Sequence, residues 1–506
     1  MRNLIVSCDG TWNTPDQMKD GVPTPTNVVL LHNVLAENDA EGRMQLTYYH
    51  PGVGTDGTWH NKVLGGGTGD GLNKNIQSAY KWLCDNYRAG DRIYLFGYSR
   101  GAYTVRSLSG LVVSCGLLNP NGLSDGEIWQ GVENVFSKAY RRQTTPDQVA
   151  SIAGYAFTTG VDIHFLGVWD TVGALGIPDN LVILNLLEDR DSHTFHNTSL
   201  SAHVLHARHA VALDEMRANF VPTLWTETND HPDAKQVWFP GGHGDVGGGW
   251  PERGLSDGAL SWMIDEAQKQ GLGIQEDLIG QIEPDPRDVL HNTLDGMYAM
   301  LRTQPRPSPE ILEEHVGETL HESAWERHVR PPITQAPYRK TKHLKINDSV
   351  TLDIFSRDPW NETGVFLNAG ATYTFEAHGE WLDGNIPSGP GGADDDQFYL
   401  GEFVTAIGTL IGKVEGILKE ITKNEQADLK GSKRYEKAPW FCLMGAIANA
   451  GDESLHEVFK IGTATELAIP YNETHRAGYL YCFANDAWHF YGNNRGKVTL
   501  KVTRTA

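Results

Sequence analysis

The chain has 506 residues, a length that predicts two to four domains and allows a large buried core. With 40% hydrophobic and 21% charged residues, 55 Gly and 24 Pro, the composition is that of a folded, loop-rich protein and excludes a disordered one. The formal net charge of −22 argues against a nucleic-acid partner, because phosphate backbones call for Lys and Arg, and against simple electrostatic capture by an anionic bilayer.

The opening MRNLIVSCDG holds one Arg and a very short apolar run, which does not make a signal peptide. No run of about 18 apolar residues offers a transmembrane span. The five cysteines, Cys8, Cys84, Cys115, Cys442 and Cys482, are odd in number and unpaired in CxxC motifs. They read as reduced, buried thiols of a protein made in the cytoplasm, so action outside the cell would need a route other than the ordinary secretory signal.

Short apolar runs then alternate with amphipathic stretches, which predicts a mostly parallel sheet with helices on both faces. Leu4–Cys8, Met44–Tyr49, Arg92–Phe96, His164–Val168 and Gln236–Phe239 read as strands. Asn27–Leu35, Leu72–Tyr87 and Gly101–Cys115 read as helices. The glycine cluster Gly65–Gly71 fits no nucleotide-binding spacing and reads as a flexible loop at the active site. A proline-rich, basic stretch, Pro331–Lys342, predicts a linker that ends a first domain of residues 1–342. Residues 343–506 alternate in period two (SVTLDIF, ATYTFEAHG, AGYLYCFA, GKVTLKVTR) and predict an all-β sandwich. Near 394–433 an insertion carries a helical stripe from Phe403 to Ile421, with Lys and Glu on its other face. That stripe could pack on its own domain, enter a lipid interface or dock on a secretion partner.

GxSxG occurs three times, as GYSRG (97–101) and twice as GLSDG (122–126 and 254–258). An elbow that presents a serine needs a strand before it and a helix after it. RIYLF and GAYTVRSLSGLVVSC flank Ser99 in that order, whereas Ser124, followed by Glu127, and Ser256 read as helix caps. Ser99 is therefore the candidate nucleophile. A serine needs a base, and the base needs a carboxylate to orient it, in chain order Ser, Asp or Glu, His for this fold class. Asp170, directly after HFLGVW, and His243, four residues after QVWF, fit the carboxyl edge of the sheet, with His209 as the competing histidine. Oxyanion donors are expected from Arg100 and from Gly10 and Thr11 after the first strand, although Asp9 could instead close a tight Asx turn there. Asp9, Asp170, His243 and Asp245 leave a metal-dependent hydrolase open as an alternative. A lectin-like binding protein without activity is a further one.

CDGTWN, YYHPGVGT, LFGYSRGAYTVRSL, GVWDTVGALG, RHAVALDEMRANFVPTLW and VWFPGGHGDVGGGW occur in that order. Together they resemble the family of the first-described type VI secretion lipase effectors, long known as a domain of unknown function, over roughly Met1 to Lys342. The resemblance implies an α/β-hydrolase with a Ser99–Asp170–His243 triad and no catalytic cofactor. It also implies a phospholipase A acting on membrane glycerophospholipids, delivered by type VI secretion to the periplasm of target cells, with secretion-apparatus and immunity proteins as partners.

Near the C-terminus, Asp486, Asn493 and Asn494 offer hard oxygen ligands of the kind calcium takes, or else form a polar hairpin turn. WNETGVFLNAGATYTFEAHGEWLDG, FCLMGAIAN and YGNN resemble the galactophilic calcium lectins of bacteria. That resemblance implies Ca²⁺ held by the side chains of Asp486, Asn493 and Asn494, the carbonyl of Phe490 and a carbonyl near Asp383, with a carbohydrate ligand beside it. Phe490 stands where those lectins carry a small polar residue, and the insertion falls where they frame the sugar; both departures weigh more against sugar than against calcium.

Overall fold

The computed structural model describes residues 1–10, 13–52, 69–140, 155–173, 200–226, 228–294, 302–393, 433–449, 457–471, 477–488 and 490–506. Thr11, Gly65–Thr68 and the stripe from Phe403 to Ile421 lie outside the described residues. Gly69–Gly71 open a helix rather than sit in a loop. The chain divides into two compact units, Met1–Tyr338 and Arg339–Ala506, a division four residues before the end of the expected first domain.

In the first unit six strands are β1 (Asn3–Cys8), β2 (Gln45–His50), β3 (Arg92–Tyr98), β4 (Ile163–Trp169), β5 (Val204–Ala212) and β6 (Ala234–Phe239). They form one sheet in the order β6-β5-β4-β3-β1-β2, with every pair parallel. A parallel sheet covered on both faces takes near-continuous apolar strands, and β1 is buried at all six positions. Alternate residues serve opposite faces. Leu4, Val6, Ile93 and Leu95 join a core with the helices α2 (Gly69–Asn86) and α3 (Arg100–Cys115). Ile5, Tyr94, Phe96 and Phe165 join a second core with α1 (Asn27–Asn33) and the later helix Gly254–Lys269.

The main element the sequence pattern missed is β5. His206, Arg208 and His209 interrupt its apolar run, yet Arg208 is buried and paired with Glu266 and Asp233, so its charge does not keep the strand out of the sheet. Ser124 caps the helix Asp125–Asn134 in a reciprocal box with Glu127, as expected. Ser256 differs: it sits inside the first turn of its helix, behind Arg253 as the cap, and its Oγ donates to the Arg253 carbonyl at 3.1 Å.

In the second unit β7 (Ser349–Phe355), β9 (Thr372–Asp383), β10 (Ile386–Ser388), β13 (Ala464–Ala468) and β15 (Asn494–Arg504) form one antiparallel sheet. A second antiparallel sheet comprises β8 (Asn361–Leu367), β11 (Leu443–Ala448), β12 (Glu457–Lys460) and β14 (Gly478–Ala484). Inward residues of both, including Phe375, Trp381, Leu443, Leu480 and Leu500, share one apolar core. All five cysteines are free and buried. Among the described residues no helix is long and apolar enough to cross a membrane.

Candidate active site

β3 ends at Tyr98 and α3 begins at Arg100, so Ser99 alone makes the turn between them, at φ 56° and ψ −123°. A non-glycine residue in that region stores about 1–3 kcal/mol of strain, which persists only where packing over-determines it. Here the packing is visible. The Ser99 N–H donates to the Trp169 carbonyl at 3.1 Å. A Cβ on Gly101 would stand 2.1 Å from the Cys8 carbonyl oxygen, so only glycine lets α3 start against the end of β1.

Asp170 follows β4 directly, also at a positive φ of 37°, and is fully buried. His243 opens the short helix α4 (His243–Gly247) behind β6. The two meet: His243 Nδ1 lies 2.6 Å from Asp170 Oδ2. The ring of His243 is flanked by Tyr98 at 4.7 Å and Phe220 at 5.0 Å, and the Tyr98 hydroxyl donates to the His243 carbonyl at 3.2 Å. Tyr98, the neighbour of Ser99, thus touches His243, and the Ser99 N–H bonds to the residue before Asp170, so the backbone brings the three positions to the carboxyl edge of the sheet, with no hydrogen bond between the Ser99 hydroxyl and His243. With Nδ1 committed to Asp170, Nε2 is buried and has no hydrogen-bond partner among the described residues.

Electrostatics favour a neutral imidazole against an ionised carboxylate. Burial lowers the His243 pKa, and the bond to Asp170 offsets only part of this. Burial alone would raise Asp170, but the Arg306 guanidinium and His243 hold it well below the usual carboxylate range. Arg306 was not visible to sequence reasoning. It lies in QPRPSP, between two prolines, without periodicity or motif. Glu215 was missed as well; it accepts from the His243 N–H at 3.2 Å and is clamped by Arg217 at 2.7 Å.

The competing histidine is engaged in the sheet. His209 Nε2 accepts from the Thr171 N–H at 3.2 Å and Nδ1 faces Gln236 Oε1 at 3.0 Å, and burial pushes its pKa down to about 3. Of the oxyanion candidates, Gly10 departs from expectation. Its N–H donates to the side chain of the preceding residue, Asp9 Oδ1, at 2.7 Å, so it is already engaged. Asp9 also accepts from Thr26 at 2.7 Å and Tyr49 at 2.9 Å. Arg100 is the first residue of α3, where N–H groups point toward Ser99's end of the helix. The alternative metal set is differently occupied: Asp170 is paired with Arg306, and Asp245 with His291 at 2.6 Å. Among the described residues no group of three or more His, Cys, Asp or Glu is placed to hold a metal.

In the second unit Asp383 pairs in register with Asn494, and Asn493 Nδ2 donates to Asp383 Oδ1 at 2.6 Å. Asn494 Nδ2 donates to Asp486 Oδ2 at 2.9 Å. Asn494 Oδ1 is buried without a hydrogen-bond partner among the described residues, and burial together with the charge of Asp383 pushes the Asp486 carboxyl up to about 7. An orphaned amide oxygen beside two crowded carboxylates fits a hard cation. Phe490 precedes the short turn Tyr491–Asn493 between these residues.

Residues 2–266 match the family described as type VI secretion system, phospholipase effector Tle1-like, catalytic domain. The chain belongs to this family. Ser99, Asp170 and His243 all fall inside the Tle1-like match, whereas Arg306 lies beyond it. The chain is 32% identical over 248 residues to the uncharacterized protein YEL023C of Saccharomyces cerevisiae, covering 44% of this chain and 33% of that protein. It thus spans about a third of the yeast relative's length. Among solved structures, the Tle1 effector bound to the VgrG spike of the type 6 secretion system is 18% identical, over 49% of this chain and 51% of that one, with a TM-score of 0.28. The EclA N-terminal domain, a PllA-like lectin, is 19% identical over 31% of this chain and 94% of its own, with a TM-score of 0.18.

Proposed function

We propose that the first unit is an α/β-hydrolase acting as a serine esterase, a phospholipase A on membrane glycerophospholipids. Ser99 attacks the ester carbonyl, His243 Nε2 takes its proton and later returns it to the leaving alcohol, and Asp170 holds the ring in the tautomer that leaves Nε2 open. The N–H of Arg100 at the start of α3 serves the developing oxyanion. The observation that carries this reading is the buried His243–Asp170 pair, whose Nε2 has no partner among the described residues, together with a serine in a strained strand-to-helix turn whose neighbour Tyr98 packs on the imidazole.

Family membership supports delivery by type VI secretion, with the secretion apparatus as one partner, an immunity protein as another, and the periplasm of target cells as the place of action. In the second unit Asp383, Asp486, Asn493 and Asn494, with the Phe490 carbonyl, would hold a calcium ion, whose charge would fix these loops for a carbohydrate-type ligand. The test is mass spectrometry of the products from mixed-lipid vesicles, for wild type and Ser99→Ala, alongside labelling by a fluorophosphonate. Wild type should release fatty acid and lysophospholipid and take the label; Ser99→Ala should do neither while melting as a folded protein. Equal product from both would reject the mechanism.

A further inference from the structure

Both oxygens of Asp170 are saturated. Oδ1 accepts from the Ala212 N–H at 3.0 Å and from Arg306 Nη1 at 2.8 Å. Oδ2 accepts from His243 Nδ1 at 2.6 Å and from Arg306 Nη2 at 3.0 Å. The guanidinium is itself fixed. Its Nη2 also donates to the Phe220 carbonyl at 2.7 Å and its Nε to the Glu215 carbonyl at 3.3 Å, and the residue is only 4% exposed. A buried two-pronged pair of this kind has two opposed effects on a triad. It locks the plane of the carboxylate, which sharpens the aim of the imidazole. It also neutralises much of the carboxylate charge, which weakens the hold of the imidazole on a second proton.

We propose that Arg306 is a positioning residue of this site: it locks Asp170 and, by sharing its charge, keeps His243 an uncharged base into mildly acid solution. The inference rests on the triad reading given above. The other charged or titratable groups around His243 are accounted for. Glu215, after β5, meets the His243 N–H but is closed by three bonds from Arg217, one from its N–H at 2.8 Å and two from its guanidinium at 2.7 and 2.8 Å. Tyr98 of β3 packs on the ring at a tilt, and burial keeps its hydroxyl protonated. Asp245, on the histidine's own helix, caps Gly242 and pairs with His291. The Asp170–Arg306 pair is the ionic group that bonds to the ring nitrogen itself.

A general base works only when unprotonated, so the reaction fades as pH falls through the His243 pKa. Without the guanidinium, Asp170 bears its full charge, the imidazolium is favoured and the acid limb moves to higher pH. The rate of Ser99 labelling by a fluorophosphonate, followed from acid to alkaline pH, reads this directly in wild type, Arg306→Lys and Arg306→Met. The acid limb of Arg306→Met should lie about one unit above that of wild type. Arg306→Lys, which keeps the charge but not the fork, should restore the limb while its plateau rate stays reduced. A limb that stays put in Arg306→Met, with only the plateau lowered, overturns the proposal. Should Arg306→Met fail to fold, Arg306→Gln, which also removes the charge, takes its place with the same expected rise of the acid limb, and a limb unmoved in it overturns the proposal. Wild type that takes no label at any pH rejects the triad reading and this inference with it; labelling with an unmoved limb rejects this inference alone.

Discussion

Asp170 carries three duties through two oxygens, since it bonds to the imidazole, to the guanidinium and to the Ala212 amide. Replacing it with Asn separates these duties. The amide can no longer accept at both positions, the imidazole can adopt the wrong tautomer, and by analogy with serine proteases the rate should fall on the order of 10⁴-fold. Unlike an exposed carboxylate, Asp170 also neutralises a buried arginine. Its loss leaves Arg306 charged without a counter-ion, which costs about 3–5 kcal/mol. Chemical denaturation of Asp170→Asn should therefore show a clearly lower midpoint together with the lost labelling; an unchanged midpoint would mean that the Arg306 pair does not stabilise the fold.

Among the secondary-structure elements, α1 shows how the first strand's loop is held. Thr26 caps α1 by accepting from the Val29 N–H at 3.3 Å, and its hydroxyl donates to Asp9 at 2.7 Å. Burial pushes the Asp9 carboxyl up to about 6, against the lowering effect of Thr26, the Gly10 amide and Tyr49. Thr26→Ala should cost about 1–2 kcal/mol through the cap. Removing a donor to the carboxylate raises the folded-state pKa of Asp9 further, away from its unfolded value near 4. A raised carboxylate loses stability as pH climbs from the unfolded value toward the folded one, so the variant should be more destabilised at pH 8 than at pH 5. Thermal melts at the two pH values check this, and equal losses at both would sink it.

The same elements explain what the sequence pattern could convey. β1, β3 and β4 are nearly unbroken apolar runs, and GYSRG between a strand and a helix singled out Ser99 because the elbow is a local geometry. Asp170 and His243 were legible from their places just past strands. β5 was not, because Arg208 and two histidines mask its burial until their partners are known. Nor was Arg306, since its bond to Asp170 spans 136 residues of chain and no local pattern records such a pairing.

For the whole molecule, the two units have separate apolar cores, the first around the parallel sheet and the second between two antiparallel sheets. Each is therefore expected to fold when made alone. Residues 1–338 should retain fluorophosphonate labelling. Residues 339–506 should melt at a higher temperature in calcium, since a ligand at 100 times its dissociation constant adds about 2.7 kcal/mol, and Asp486→Asn should abolish the gain. No shift at millimolar calcium would remove the cation from this account.

The order of the parallel sheet has a consequence for when the molecule becomes reactive. In the proposed triad the hydroxyl of Ser99 is synthesised early, but Asp170 arrives 71 residues later and His243 144 residues later, each just past the end of a different strand. No single hairpin or helix contains two of the three groups. If the triad acts as proposed, its chemistry can start only once strands distant in the chain have registered side by side, so that the last steps of folding, rather than translation, would arm the protein.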